Sequence, residues 1–249
     1  MEFGGVRWSK NHVQVVDRQV FCFSKTIHVI LHFSGAMKYV AILFLLLCQQ
    51  LPAQTFVPDL QNRNVWELHG RDAKNLTDNS KNGVSFWFDE PVAVLQLKDY
   101  DFSEGTIEFD VRGRDELQRC FVGIAFHIQN DSTYDVVYFR PFNFKNAEVF
   151  RRLRSVQYIS WPKYTWQKLR AEHPNQYEHP VTPVPEPDEW FHAKMVILGK
   201  TISVYVNDSA EPSLVVEKLT DTTHGGLGLW VGDPTEADFA NLKITPAKK

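Results

Sequence analysis

A handful of residues in this 249-residue chain combine types and spacings that suit gripping a polar molecule. Tyr138 and Arg140 stand two apart in VVYFR, Asn143 follows closely, Gln157 lies in SVQYIS, and Trp230 closes GGLGLW. Arginine presents a planar fork of donors, and the amides of Asn and Gln each offer a donor and an acceptor. Tyr and Trp bring an apolar body with a polar tip. His127, in FVGIAFHI, joins this set by the alternation of its strand. A second group, Glu172-His173 and Glu178-His179, is the dense titratable cluster outside the strands. Adjacent carboxylate and imidazole groups suit acid–base work near neutral pH. The same types ligate metals, but here they have no ligand spacing on a defined element. No metal and no cofactor is therefore expected, and the competing reading of this cluster is a solvated loop.

The elements that must position these groups are strands. Arg119–Phe144 reads as a hairpin: Val122, Ile124, Phe126 and Ile128 alternate with Phe121, Gly123, Ala125 and His127. Tyr134, Val136, Tyr138 and Arg140 share one face of the return strand, linked through the polar turn Gln129–Thr133. One face goes to a core and the other shows His127, Tyr138 and Arg140. If Leu227, Leu229 and Val231 face the core, Trp230 looks out on that same side. Pro141 should stop the ladder.

Elsewhere GTIEFDVR (Gly105–Arg112) is the clearest strand, and Phe191–Leu198 with Thr201–Val206 forms a hairpin over Gly199-Lys200. Further strands are expected near Val65–His69, Val84–Phe88, Val92–Leu97, Ser155–Ser160, Leu214–Leu219, Gly225–Val231 and Ala240–Ile244. Roughly a dozen short strands without an amphipathic helix indicate an all-β sandwich or barrel. Trp161–Trp190 differs: proline-rich, aperiodic and aromatic, it reads as a long functional loop.

The first residues carry a different message. Met37-Lys38, the apolar run Val40–Leu47 and Leu51-Pro52-Ala53 have the form of a secretory leader cut after Ala53. Met1–Ala36 is then an upstream extension, and residues 54–249 form a single β-sandwich domain with no membrane span, secreted or periplasmic. A signal anchor with a cytoplasmic tail and a lipid anchor through Cys48 are the alternatives. The mature chain has 22 basic and 28 acidic residues, with no basic stripe for nucleic acid. Its lone cysteine, Cys120, excludes an internal disulfide.

The succession GTIEFDVR, FVGIAFHI, YDVVYFR, WFHAKMVILGKTISVYVN, GGLGLWVG and DFANLKI resembles the concanavalin A-like lectin/glucanase superfamily. Within it, the chain is most similar to secreted bacterial domains of the 3-keto-disaccharide hydrolase type. The resemblance implies an antiparallel jelly-roll β-sandwich that binds an oligo- or polysaccharide on its concave sheet. Tyr138, Arg140, Asn143, Gln157, Trp230 and His127 would supply the hydrogen bonds and stacking faces that a pyranose requires. Family-16 hydrolases on this fold carry Glu-x-Asp-x-(x)-Glu on one strand. Here Glu108 and Asp110 are followed by Arg112 or Gly113, so that mechanism lacks its acid. Three classes stay open: a carbohydrate-binding module, a hydrolase using Glu172, His173, Glu178 or His179, and an interaction module serving a polysaccharide-degrading enzyme. Arg151, Arg152 and Arg154 add some attraction for an anionic glycan.

Overall fold

Strict alternation of apolar residues builds the sandwich. In Gly105–Arg112 the odd-numbered Ile107, Phe109 and Val111 are fully buried, while Thr106, Glu108, Asp110 and Arg112 are half-buried on the other side. A computed structural model describes residues 54–76, 81–87 and 92–248. The proposed leader Met37–Ala53, Cys48 and the extension Met1–Ala36 lie outside the described residues.

The first antiparallel sheet runs, in spatial order, β1 (Trp66–His69), β4 (Ala93–Leu97), β13 (Gly226–Val231), β6 (Val122–Asn130), β7 (Thr133–Phe139), β8 (Val156–Trp161) and β9 (Glu178–His179). The second runs β12 (Leu214–Glu217), β11 (Thr201–Val206), β10 (Phe191–Leu198), β5 (Gly105–Arg112), β14 (Ala237–Pro246), β3 (Gly83–Phe86) and β2 (Ala73–Asn75). The inner faces interlock through aromatic rings: Phe139 of β7 meets Phe191 of β10 edge to face, centroids 5.2 Å apart. Neighbours distant in sequence pair in both sheets, as in a jelly roll.

The hairpin turn is tighter than Gln129–Thr133, since β6 continues to Asn130 and β7 begins at Thr133. Asn130 Oδ1 accepts from the Ser132 backbone N–H (3.0 Å) and so holds the bend. At Gly199 the turn between β10 and β11 adopts φ +56°, where any side chain would be disfavoured. After Phe139 the chain enters a one-turn 3-10 segment, Pro141–Asn143, and the ladder ends where the proline stands.

Trp161–Trp190 is not the irregular loop that its composition suggests. It contains helix α2 (Trp166–Glu172) and strand β9, which lengthens the first sheet by one member. Thr165 caps α2 by accepting from the Lys168 N–H, and Pro174 follows its end. Two turns of helix are too short to show a 3.6-residue period, which is why the pattern looked aperiodic. Leu169, Tyr177 and Val181 of this segment are buried, so it belongs to the core. The preceding helix, α1 (Val149–Arg152), is a single turn.

Candidate functional site

The outer face of the first sheet is bare at one point by construction. Gly123 of β6 pairs with Trp230 of β13 on one side and with Tyr138 of β7 on the other. A Cβ there would lie 2.0 Å from the Val137 carbonyl oxygen and 2.6 Å from the Tyr138 Cα. With no side chain between them, the Tyr138 and Trp230 rings meet over Gly123 at 5.3 Å. Together they floor a cleft of about 550 Å³ walled by Phe121 and Phe142, by Trp161 of β8, and by Trp166 and Arg170 of α2.

Arg140 reaches into this floor and is held on several sides. Its Nη2 donates to the Tyr138 hydroxyl (2.6 Å) and to Gln157 Oε1, its Nη1 donates to the Arg154 carbonyl (2.9 Å), and its guanidinium stacks on the Tyr138 ring at 4.8 Å. Tyr138 in turn donates to Gln157 Oε1 at 2.8 Å. Burial, reinforced by the charges of Arg170 and Arg154, pulls the Arg140 guanidinium below the ordinary arginine value against the pull of Tyr138 and Glu178. Burial also raises the Tyr138 phenol, keeping it a neutral donor.

Glu178, on β9, is the anion of the site. Arg170 grips it in a fork, Nε to Oε1 at 2.9 Å and Nη2 to Oε2 at 2.7 Å. Arg154 Nε lies 3.3 Å from Oε1 and Arg140 Nη1 3.6 Å from Oε2. One carboxylate thus serves three guanidiniums and ties β7, β9, α2 and the end of α1 together. At 3 % exposure, Glu178 is closed off from solvent and committed to these arginines.

The structure therefore brings Tyr138, Arg140, Asn143 and Trp230 into one lining, with Gln157 directly behind. Asn143 Nδ2 donates to the Arg154 carbonyl (2.9 Å), while its Oδ1 and Gln157 Nε2 have no partner among the described residues. His127 is a correction. A bulge at His127, with φ +49° and a register shift against both neighbouring strands, breaks the alternation. Its ring turns between Phe102 and Phe126, with Nε2 at 2.8 Å from the Ser103 carbonyl and Nδ1 3.6 Å from Asp135. It is a core residue. Arg140 and Tyr138 correct the expectation in another way: they take the expected face but are buried in it, at 5 % and 2 % exposure.

The titratable quartet does not converge. Glu172 ends α2 in solvent with Lys168 at 3.9 Å, His173 packs against Tyr177, and His179 pairs with Val156 across β8 and β9. Only Glu178 reaches the cleft region. Arg152 turns away, donating to the carbonyls of Asn146 and Ala147, whereas Arg151 and Arg154 line the opening. Sequence reasoning missed Gly123 as floor and Arg170 as wall, and had Trp161 and Trp166 only as part of a segment over the cleft. A glycine inside a strand pattern marks a close approach, and that signal was present in FVGIAF.

Glu108 and Asp110 lie on the second sheet, outside this cleft. Lys243 pairs with Glu108 (2.8 Å), and Asp110 accepts from Lys81 (2.8 Å), Asn241 (2.7 Å) and His192 Nδ1 (2.9 Å). Cys120 is buried, and burial pushes its thiol up to about 12, which leaves it unreactive. Among the described residues no cluster of His, Cys, Asp and Glu could hold a metal ion, and no helix is long and apolar enough to cross a membrane.

No family model and no curated protein matches the chain. Solved structures do. A Bacillus subtilis protein of unknown function with a galectin-like fold superposes with a TM-score of 0.55 at 14 % identity, covering 80 % of this chain and 99 % of its own. The carbohydrate-binding module CBM66 from Bacillus subtilis gives 0.52 at 16 % identity, over 76 % of this chain and all of that one. A Bacillus licheniformis β-glucanase gives 0.50 at 9 % identity, over 78 % and 98 %. The fold is a concanavalin A-like jelly roll. At these identities the likeness speaks for architecture. The function of a concanavalin A-like sandwich has to be argued from its own cleft.

Proposed function

We propose that this chain is a carbohydrate-recognising jelly roll that takes a saccharide into the Arg140–Tyr138–Trp230 cleft. The observation that carries the reading is the pairing of stacking faces with fixed polar groups in one opening. Trp161 and Trp166 are partly exposed at its wall, and Arg140 is held rigid at its floor. Sugar C–H faces pack on indole rings, and hydroxyls meet the rim arginines Arg151 and Arg154 and the Asn143 acceptor. Immobilised side chains bind without the cost of ordering them. Similarity of fold to a carbohydrate-binding module and a β-glucanase supports the same class.

Hydrolysis needs two carboxyl groups within reach of one glycosidic bond. Among the described residues the cleft lining offers only Asp233, and Glu178 is held by its arginines, so binding without cleavage is the reading the geometry favours. A wholly structural role would present a flat apolar patch, whereas this surface is an indented, arginine-lined one.

Trp166→Ala provides the test. Trp166 is 40 % exposed, so the substitution should leave the melting temperature nearly unchanged. It should weaken binding to a positive from a glycan array by about tenfold, the worth of one stacking contact of ~1–1.5 kcal/mol. Undiminished affinity in a well-folded variant would place the sugar elsewhere. We also propose export through the Met37–Ala53 leader, in which case the mature protein begins at Gln54; N-terminal sequencing of secreted material would show another start if this is wrong.

A further inference from the structure

The cleft contains more positive charge than its own architecture neutralises. Three guanidiniums, those of Arg140, Arg154 and Arg170, share the single carboxylate of Glu178. A fourth, Arg151, lines the same opening and pairs through Nε with Glu148, which is more than half exposed and outside the lining. Among the described residues the one carboxylate in the lining is Asp233. This local excess stands out in a chain whose formal net charge is −3.

The surplus is also directed. Arg151 and Arg154 stack on Phe150 with their guanidinium carbons 5.1 and 5.5 Å from its ring centre. Each bonds or pairs with a carboxylate through Nε, and among the described residues neither has an acceptor for its terminal nitrogens. Two forks are thus held at the rim by an aromatic ring, with their outer N–H groups free. That is the arrangement a planar oxyanion takes up in bidentate fashion. Beside it sit groups that a bare anion cannot use. The unpartnered Asn143 Oδ1 wants a donor, and the faces of Trp161 and Trp166 want apolar C–H surface.

Resting on the saccharide reading above, we infer that the ligand is an acidic saccharide, whose carboxylate or sulfate group is held by Arg151 and Arg154 while its ring packs on the cleft tryptophans. Sugar hydroxyls supply the donor for Asn143. The oxyanion supplies the charge that Glu178 leaves unbalanced.

The experiment compares one uronic-acid polymer with the same polymer carboxyl-reduced to its neutral form, alongside a sulfated neutral polymer, by calorimetry at low and moderate salt. The expected result is binding of an acidic form that weakens as salt rises, with Arg151→Gln lowering affinity about tenfold and Arg151→Gln with Arg154→Gln by about a hundredfold. The uronate and sulfated arms tell which oxyanion is preferred. Arg151→Gln removes the exposed Glu148 pair and the stacking on half-exposed Phe150, both at the surface, so it keeps the test readable if the double variant folds poorly. Equal binding of the carboxyl-reduced polymer would overturn the acidic ligand and leave saccharide recognition standing. Binding of inorganic sulfate without any polymer would overturn it too, as a plain anion pocket. Failure of every polymer, acidic and neutral, would sink both readings together.

Discussion

Glu178 and Arg140 form one buried network, yet their removal should have very unequal costs. Take Glu178→Ala first. It strands three cations, but the side chains of Arg154 and Arg170 are 30 % and 26 % exposed and can turn to water. Arg140, at 6 %, cannot. An uncompensated charge in such a place costs about 3–5 kcal/mol. In a domain of this size, each kcal/mol is worth ~2–4 °C, so the melting temperature should drop by about 6–20 °C. Arg140→Met orphans nothing by comparison. Gln157 Oε1 keeps the Tyr138 hydroxyl, the Arg154 carbonyl keeps Asn143 Nδ2, and Glu178 keeps its fork from Arg170. The cost is the net worth of the lost charge-assisted bonds, about 1.5–3 kcal/mol, partly recovered by the methionine stem. The double variant should be more stable than the sum of the two singles by about 1–3 kcal/mol, because it no longer buries an unpaired cation. Urea unfolding of the four proteins at fixed pH measures all three quantities. Costs that simply add, or an Arg140→Met variant less stable than Glu178→Ala, would refute the assignment of Glu178 as the counter-charge of this site.

Gly123→Ala should distort the floor of the cleft, because the new methyl meets backbone rather than a flexible side chain. A stability loss of about 1–3 kcal/mol with lost ligand binding is expected, and a variant that melts and binds like the parent would contradict the close approach of β6 and β7. Deleting residues 163–185 removes the buried Leu169, Tyr177, Glu178 and Val181. Circular dichroism should show no cooperative unfolding, whereas a sharp native-like melt would show that the segment is dispensable. On the second sheet, the hydrogen bond that His192 donates to Asp110 raises the His192 pKa, opposed by burial and helped by the charges of Asp110, Asp208 and Glu108. A raised histidine stabilises the fold fully below its ordinary value of about 6.5 and loses that contribution as pH climbs through the folded value. The stability difference between the parent and His192→Gln should accordingly shrink as pH rises from about 6.5, by roughly 1 kcal/mol or less for a partly exposed pair. A difference that grows with pH would reverse the sign of this argument.

Strand positions were legible wherever a single face was buried. GTIEFDVR, FHAKMVIL and TISVYV have the bounds that alternation assigns to them. Tyr138, Arg140 and Trp230 share a surface because alternation is reliable through β7 and β13. The same rule failed at His127, where one extra residue in β6 relative to β13 inverted the side-chain direction. Bulges depend on the partner strand, and a lone sequence does not display its partners. Alternation also assigns a side without an exposure, and this is how Arg140 came to be expected in solvent. The helix α2 and strand β9 were hidden for want of length: seven and two residues cannot express a period. The tertiary ion pair between Arg170 and Glu178 joins them, and it leaves no mark on local composition.

The brevity of β9 has a consequence for how the molecule keeps company with others. A sheet margin with unsatisfied amide and carbonyl groups invites a foreign chain to extend it. Here the margin beyond β8 is occupied by Glu178-His179, and Pro180, which has no N–H to donate, follows at once. A visiting strand would find two residues of template and then a stop. The acidic residue that the three arginines share thus sits in a segment that also discourages chain-to-chain stacking along this side of the sandwich.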